Sequence, residues 1–368
     1  MRIAYIVSSL KKGGPTNQLF NILNNCSSYE KVLFTLSHEP EYSDLKKFQS
    51  IKDLEIIQLR LSRVLFPFLV LPKLIPLIKS KNIDCIHSQG IRGDLLNLLI
   101  PSLISKKNIK SIATLRTNPN IDYSFKYGRL VGNMSSIIHN FALRRLDYTV
   151  CCSKNLFDQF DRNDYKNITY IQNGVDTSNN YPSNKDELRK ELNLKENHTY
   201  LISVGHLEYQ KNPELILDSF ISFSCEKEKI SLIFVGTGSE LNKLKGKARK
   251  HNENIHFTGR IDNVSEYLKA SDMFISASRL EGLPNTVLEA GACGLRLILS
   301  NIPPHLEIAQ ELPENERFIF EEGDMKSLCK QLNEAFKYSV NKVLISESIS
   351  NRFSAVENSR QYSELYKS

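Results

Sequence analysis

The sequence predicts an α/β protein of two doubly wound, Rossmann-like domains that face a central cleft. A chain of 368 residues exceeds one typical domain and suits two of about 150 to 200 residues each. Short runs rich in Val and Ile alternate with longer segments almost throughout, which is typical of parallel sheets with helices on both faces. Because open α/β sheets bind ligands beyond the carboxyl ends of their strands, two such domains predict a ligand in the cleft.

The predicted strands follow one another along the whole chain. In the first half they are RIAYIVSS, KVLFTLS, LEIIQLRL, IDCIHSQ, IKSIATLRT, DYTVCCS and ITYIQ, and in the second half TYLISVG, ISLIFVGTG, NIHFTGR, DMFISAS, RLILSN and RFIF. Each half opens with a strand, a glycine-bearing loop and a helix, and a polar stretch, NGVDTSNNYPSNKDELRKELNLKENH, separates them. We therefore predict domains over residues 1–175 and 176–350, and a helix over 351–368 that packs back towards the first domain.

The charge is concentrated in the first half. The net charge is +7, and residues 1–180 carry 24 basic and 14 acidic side chains, against 24 and 27 in the rest. This asymmetry favours an anionic partner, which could be nucleic acid, a phosphorylated acceptor or a membrane surface, unless the basic face is merely solvated. Seven cysteines without a CxxC pair favour a reducing cytoplasm, and no apolar run reaches the roughly 18 residues of a membrane helix.

Two glutamates stand eight positions apart in EGLPNTVLEAGACGLRLILSN, where most residues are small or apolar. Glu289 lies within a predicted helix from Pro284 to about Cys293, which Gly294 ends, and Glu281 lies in the loop before it. The first amides of such a helix form an anion site, so a diphosphate could lie between the two carboxylates. Carboxylates accept hydrogen bonds from sugar hydroxyls, although salt bridges within the domain are the simpler alternative.

This stretch resembles the glutamate-x7-glutamate signature of retaining GT-B glycosyltransferases, especially glycosyltransferase family 4. The resemblance extends in family order to the N-terminal GG loop, NGVD, VGHLEYQKNPELILDSF, LIFVGTGSELNKLK and IHFTGRIDNVSEYLKASDMFISAS. It implies that the first domain binds the acceptor and the second binds the nucleotide sugar. It also implies that Glu289 binds the ribose, and that Glu281 and the loop after it contact the donor sugar; the loop residues are Gly282, Leu283, Pro284, Asn285 and Thr286.

The resemblance assigns further residues to the donor. Family members carry two basic residues against the diphosphate, and here Lys211 matches while His206 stands where Arg is usual. A cation there stabilises the charge of the leaving group, which a neutral imidazole does less well than a guanidinium. Gly236 is expected to border the nucleotide, and Gly259 and Arg260 to lie beside the base.

In the first domain, Gly13 and Gly14 allow close approach of a phosphate or sugar to the loop after the first strand, unless they form a plain strand-to-helix turn. Many relatives carry a histidine where this chain has Arg116, which makes Arg116 a candidate clamp on a phosphate, with a structural ion pair as the alternative. His87 could face the cleft or belong to the core. No GxGxxG supports a dinucleotide site, and no DxD triplet or His/Cys cluster suggests a metal site, so we expect a reaction independent of metal and cofactor.

The sequence thus predicts a hexosyltransferase-type enzyme that moves a sugar from a nucleotide diphosphate sugar to a hydroxyl of a lipid-linked glycan. The expected process is the synthesis of a surface polysaccharide or glycolipid. Retention is implied by the resemblance alone. A sugar-nucleotide epimerase and a non-catalytic binder of nucleotide sugar or nucleic acid are the alternatives, and nucleic acid is not the expected partner. We expect a cytoplasmic protein, and the Leu- and Ile-rich segments Leu61 to Asn82 and Leu95 to Ser111 could attach it to the inner face of the membrane, unless they are ordinary packed helices.

Overall fold

The computed structural model describes residues 1–26, 28–62, 66–104, 109–224, 229–251 and 253–368. The chain forms two compact units, of which unit 1 comprises Met1–Gly174 and Ala355–Ser368, and unit 2 comprises Val175–Ser354. Each unit is built around one parallel sheet. The predicted α/β class with two doubly wound domains is therefore confirmed.

Unit 1 contains a seven-stranded parallel sheet in the order β3-β2-β1-β4-β5-β6-β7. Its strands are β1 (Arg2–Val7), β2 (Glu30–Thr35), β3 (Leu54–Gln58), β4 (Cys85–Gln89), β5 (Lys110–Leu115), β6 (Tyr148–Cys151) and β7 (Ile168–Tyr170). Its helices are α1 (Gly14–Asn25), α2 (Leu45–Gln49), α3 (Phe66–Ser80), α4 (Ile91–Leu103), α5 (Pro119–Tyr127), α6 (Arg129–Leu143) and α7 (Lys154–Asp158). The order of strands reverses at β1, which pairs with both β2 and β4.

Unit 2 contains a six-stranded sheet in the order β10-β9-β8-β11-β12-β13. Its strands are β8 (Thr199–Val204), β9 (Ile230–Val235), β10 (Ile255–Gly259), β11 (Met273–Ser276), β12 (Arg296–Ser300) and β13 (Arg317–Phe320). Its helices are α8 (Lys185–Glu191), α9 (Pro213–Ser224), α10 (Leu241–Ala248), α11 (Val264–Ala270), α12 (Asn285–Ala292), α13 (Pro303–Ala309), α14 (Met325–Ala335) and α15 (Lys342–Arg352). Every predicted strand-like run overlaps one observed strand.

The central strands are apolar over their whole length because helices cover both faces of each sheet. In β1 the side chains from Ile3 to Ile6 are fully buried, and in β9 all six residues are buried. Alternate residues of β1 belong to different cores: Ile3 and Tyr5 pack on one face, and Ala4 and Ile6 on the other. This two-sided burial explains why the strands appear in the sequence as continuous apolar runs.

The last helix, α16 (Ala355–Lys367), returns to unit 1 and packs on α1. Two fully buried tyrosines anchor it to the sheet, since Tyr366 OH lies 2.7 Å from Nδ1 of His87 and Tyr362 OH lies 2.9 Å from Oγ1 of Thr114. The chain thus changes unit at Gly174 and again at Ser354, close to the boundaries that the sequence predicts at residues 175 and 350.

Candidate active site

In unit 2 the predicted donor residues follow the carboxyl ends of four neighbouring strands. The order of strands reverses at β8, which pairs with β9 on one side and β11 on the other. Ligands of open α/β sheets bind at such a switch point. Lys211 follows β8, Gly236 follows β9, Arg260 follows β10 and Glu281 follows β11. The sheet therefore brings together residues that lie up to 70 positions apart in the sequence.

Lys211 and Glu281 form an ion pair at this edge. Lys211 ends a 3₁₀ turn (Tyr209–Lys211), in which its amide donates to the carbonyl of Glu208 at 2.9 Å. The turn is tied to the loop after β11, because the amide of Arg279 donates to the carbonyl of Gln210 at 2.8 Å. Lys211 Nζ donates to Oε1 of Glu281, which also accepts a hydrogen bond from the Ser278 hydroxyl at 2.8 Å. The ammonium is thus held at the switch point by a carboxylate.

Glu281 remains ionised although its side chain is only 12% exposed. Burial by itself raises the pKa of this carboxyl, but the charge and hydrogen bond of Lys211, with smaller contributions from His305 and Ser278, outweigh burial and bring the pKa below its usual value. The site therefore holds one fixed negative and one fixed positive charge at neutral pH.

His305 and Ser278 support Glu281 and were not predicted from the sequence. His305 is fully buried near the start of α13, where its Nδ1 lies 3.0 Å from Oγ of Ser300 and its Nε2 lies 3.2 Å from Oγ of Ser276. Burial lowers the pKa of His305 to about 4, although the charge of Glu281 opposes this shift. The imidazole is therefore neutral near pH 7 and is held by the hydroxyls of the two serines. The only local signal is a histidine after a prolyl pair, PPH, just beyond β12.

The helix predicted between the two glutamates is α12, one residue shorter at each end than the sequence indicates. Pro284 is its N-cap rather than its first residue, and the proline side chain makes no capping hydrogen bond. At its end, Gly294 adopts φ 77°, its amide donates to the carbonyl of Gly291 at 2.8 Å, and Leu295 donates to Ala290 at 3.1 Å. These two bonds form a Schellman motif.

The amino end of α12 faces the loop that carries Glu281, and its first residues are Asn285 and Thr286. The loop residues before it, Gly282 and Leu283, are buried. The first amides of a helix lack intrahelical partners and attract anions. Glu289 lies one turn further along α12 and is half-buried. The anion site at the start of α12 therefore lies between Glu281 in the loop and Glu289 in the helix.

The loops after β8 and β9 are in close contact at Gly236. A Cβ atom added there would lie 1.9 Å from the carbonyl oxygen of Gly205, and the backbone has φ 133°, so only glycine fits. The amide of Gly236 donates to the carbonyl of Gly259 at 2.8 Å. His206 is exposed beside these loops, and Arg260 follows Gly259 at the end of β10.

The residues predicted in the first domain belong to unit 1. Gly13 precedes α1 in an extended conformation with open space around its Cα, and Gly14 is the first residue of α1. Arg116 follows β5, and its Nη1 donates to Oδ1 of Asn173 at 2.6 Å. Its Nε and Nη2 are buried, and within the described part of the chain they have no hydrogen-bond partner. The guanidinium is therefore held by one bond and has donors left for a ligand.

His87 is a core residue, and its predicted contact with a substrate is not supported. Both ring nitrogens are bonded, one to Tyr366 OH and the other to Oγ1 of Thr114, each at 2.7 Å. Burial, reinforced by the positive charge of Arg116, lowers the pKa of His87 to about 3. The alternative of a core histidine is thus the correct one, because α16 covers this part of β4.

Comparison with known proteins gives matches over most of the chain. Residues 184–347 match the family model of glycosyl transferases group 1, and residues 29–179 match that of glycosyltransferase family 4. The O-antigen biosynthesis glycosyltransferase WclY of Escherichia coli is 29% identical over 317 residues, which are 85% of this chain and 83% of that protein. The UDP-Gal:alpha-D-GlcNAc-diphosphoundecaprenol alpha-1,3-galactosyltransferase of Escherichia coli is 32% identical over 173 residues, 45% of this chain and 44% of that protein.

Among solved structures, the Anabaena protein HepE in complex with UDP-glucose has a TM-score of 0.82 at 16% identity, over 100% of this chain and 99% of that chain. Fold and sequence matches together define the chain as a glycosyltransferase of the GT-B fold. More particularly, it matches the models of glycosyl transferases group 1 and glycosyltransferase family 4 over different residues, which together make up most of the chain. The predicted resemblance is confirmed at this level.

Proposed function

We propose that this enzyme transfers a hexose from a UDP-sugar to a hydroxyl of a lipid-linked glycan, with retention of the anomeric configuration, during synthesis of a surface polysaccharide. The observation that carries the proposal is the Lys211–Glu281 pair beside the amino end of α12, at the switch point of the unit 2 sheet. UDP and the lipid-linked acceptor are suggested by the relative that uses UDP-galactose and a diphosphoundecaprenol acceptor, and the polysaccharide by the O-antigen relative.

The charges of the site suit the departure of a nucleoside diphosphate. As the bond between the anomeric carbon and the phosphate oxygen breaks, negative charge grows on the diphosphate. The ammonium of Lys211 and the first amides of α12 would stabilise that charge, because they are held in place before the reaction begins. His206 would add a hydrogen bond, or a charge when protonated. These groups can supply the required stabilisation, and we propose that the reaction needs no metal ion.

The two glutamates would orient the donor. Glu281, ionised and held by Ser278, would accept a hydrogen bond from a hydroxyl of the transferred sugar, and Glu289 would accept bonds from the ribose. The new bond forms between the acceptor oxygen and the anomeric carbon, on the same face of the sugar from which the phosphate leaves. The departing phosphate oxygen takes the acceptor proton, so that retention needs no protein nucleophile.

The remaining predicted residues extend the proposal. Gly236, Gly259 and Arg260 would border the nucleotide, and the Gly13–Gly14 loop would lie along the donor phosphate or sugar. Arg116, with two buried donors that have no partner in the described residues, would bind a phosphate of the acceptor. We place the enzyme in the cytoplasm, at the membrane that carries its acceptor. Of the helices within the described ranges, none is long and apolar enough to cross a bilayer.

Calorimetry with UDP and with intact UDP-sugar tests the roles of the glutamates. Glu289→Gln should weaken binding of both ligands equally, because both contain the ribose. Glu281→Gln should leave UDP affinity near the native value and weaken the UDP-sugar by about tenfold, the cost of one hydrogen bond to a charged group. Glu214→Gln, on the surface of the same unit, serves as the control. Equal losses for both ligands in both variants would contradict the assignment, and UDP release without an acceptor would favour an epimerase.

A further inference from the structure

The helices α5 and α6 expose their large apolar side chains. Nine of the 22 exposed large apolar residues of the described chain lie on these two helices. On α6 they follow the helical period along one face, with Leu130 81% and Ile137 69% exposed, and the full set is Ile121, Phe125, Tyr127, Leu130, Val131, Met134, Ile137, Ile138 and Phe141. A surface helix of a globular protein normally turns such a face inwards. We call this set the apolar face.

The inward side of the same helices is small or polar. Apart from Leu143, α6 buries only Gly132, Ser136, His139 and Ala142, and α5 buries Pro119 and Asp122. Gly132 lets the helices approach closely, because a Cβ atom there would lie 2.6 Å from backbone atoms of Ser124. The pair is therefore inverted relative to an ordinary amphipathic helix pair.

A buried hydrogen-bond network fixes this orientation. Nε2 of His139 on α6 donates to Oδ2 of Asp94 on α4 at 2.6 Å, and Nδ1 of His139 lies 2.8 Å from the hydroxyl of Tyr123 on α5. Asp94 is fully buried and also accepts a bond from the Ser88 hydroxyl at 2.6 Å. Rotation of α6 about its axis would leave the Asp94 carboxylate buried without His139, which is costly. The apolar face is thus held outwards by polar contacts beneath it.

The segments from which the sequence suggests membrane attachment have the ordinary arrangement instead. In α3, Val70, Leu74 and Ile78 are buried in the core, and Pro72, Lys73, Pro76 and Lys79 are exposed. In α4, Leu96 and Ile100 belong to the same core. Two large apolar side chains of α3, Phe68 and Leu69, and two of α4, Leu99 and Leu103, are exposed, against nine on α5 and α6. Attachment through the two predicted segments stays a prediction, and residues 63–65 and 105–108 of these segments lie outside the described residues.

The charges around the apolar face are positive. Residues 119–145 contain Lys126, Arg129, Arg144 and Arg145, all exposed, and a single carboxylate, Asp122, which is buried and paired with Lys126. Arg144 pairs with Asp164, so Arg129 and Arg145 carry the positive charge that no ion pair among the described residues offsets. The basic residues lie at the two ends of α6 and at the end of α5. A second copy of the same face would meet this charge with like charge, whereas an anionic surface would neutralise it.

We propose that the apolar face of α5 and α6 binds the surface of an anionic lipid bilayer. A helix of 15 residues is about 22 Å long, so α6 can lie in the interface with its apolar side among the acyl chains and its arginines at the headgroups. Because α5 begins three residues after Arg116, contact here would bring the bilayer next to the carboxyl edge of the unit 1 sheet. This location rests on the proposed function, in which a lipid-linked acceptor is bound at that edge.

Sedimentation of the full chain with phosphatidylcholine vesicles, with and without phosphatidylglycerol, tests the proposal. The native protein should sediment with the anionic vesicles at low salt, less with neutral vesicles, and be released by high salt, because screening acts over about 8 Å at physiological ionic strength. Val131→Glu and Ile137→Glu should each lower the vesicle partition coefficient at least about tenfold. Val343→Glu on α15 is a matched control, since Val131 and Val343 are 57% and 59% exposed, and it should bind like the native protein.

Other outcomes would overturn the proposal. Equal binding of the Val131→Glu and Val343→Glu variants, or no sedimentation of the native protein with either vesicle, would show that this face does not bind lipid. A native dimer in analytical ultracentrifugation that Val131→Glu converts to monomer would assign the face to a second copy of the chain. UDP binding of each variant, measured without vesicles, separates this test from the test of the proposed function. A variant that binds UDP with native affinity but no longer binds vesicles has lost only the membrane contact.

Discussion

The Lys211–Glu281 pair has both a structural and a catalytic role in our proposal, and a double-mutant cycle can separate them. The cycle comprises Lys211→Met, Glu281→Gln and the double variant. Lys211→Met keeps an unbranched apolar chain and removes the charge. Glu281→Gln keeps the shape and the capacity to bond Ser278. The side chains are 30% and 12% exposed respectively, so the pair lies between a surface bridge and a buried one.

The expected loss of unfolding free energy follows from the groups that remain in each variant. Lys211→Met leaves a carboxylate that is largely buried and keeps the hydrogen bond from the Ser278 hydroxyl. Breaking a fully buried pair costs about 3–5 kcal/mol, and partial exposure of this pair reduces that to about 2 kcal/mol. Glu281→Gln should cost about 1.5 kcal/mol, and the double variant about 2 kcal/mol rather than the sum. The coupling energy is therefore about 1.5 kcal/mol.

Urea unfolding followed by circular dichroism gives the stabilities, and transfer of labelled sugar gives turnover. All three variants should lose at least about two powers of ten in turnover. Lys211→Met and the double variant lack the charge that stabilises the diphosphate, and Glu281→Gln lacks the carboxylate that positions both Lys211 and the donor sugar. Lys247→Met is the control, since Lys247 pairs with Glu214 and Asp218 on the surface of the same unit and should cost under about 1 kcal/mol. Strictly additive stabilities would refute the ion pair, and a double variant with native turnover would refute the catalytic assignment.

Two further predictions concern unit 1. Burial lowers the pKa of His87 to about 3 in the folded chain, whereas in the unfolded chain the imidazole binds a proton from about pH 6.5 downwards. The free energy of unfolding should therefore fall with decreasing pH between these values, by up to about 1.4 kcal/mol per pH unit. His87→Gln should flatten that slope in acid titrations of the unfolding free energy, whereas His38→Gln, at an exposed position, should leave it unchanged. Arg116→Gln should retain or raise the melting temperature, because it removes buried donors that lack partners among the described residues, yet lower transfer activity at least tenfold. A lowered melting temperature with native activity would give Arg116 a purely structural role.

The sequence by itself determined the elements that local pattern specifies. Each Val- and Ile-rich run became a strand because the strands of a parallel sheet are buried on both faces and must be apolar throughout. The helix that carries Glu289 begins directly after Pro284 and ends two residues before Gly294, because proline suits a helix start and glycine readily adopts the positive φ that follows a helix end. Lys211 and Glu281 were assigned to one donor site only through the resemblance to glycosyltransferase family 4, and the structure brings them together because they follow the paired strands β8 and β11.

Only the tertiary structure decided which polar residues support the site and which lie in the core. His305 comes close to Glu281 because β12 and α13 lie beside β11, a neighbourhood that no local pattern reveals. His87 is placed in the core by α16, which arrives from the far end of the chain and bonds it through Tyr366. Periodicity assigns the residues of a helix to two faces, but contacts between distant segments decide which face is buried. In α6 the contact of His139 with Asp94 turns the polar face inwards and leaves the apolar face to solvent.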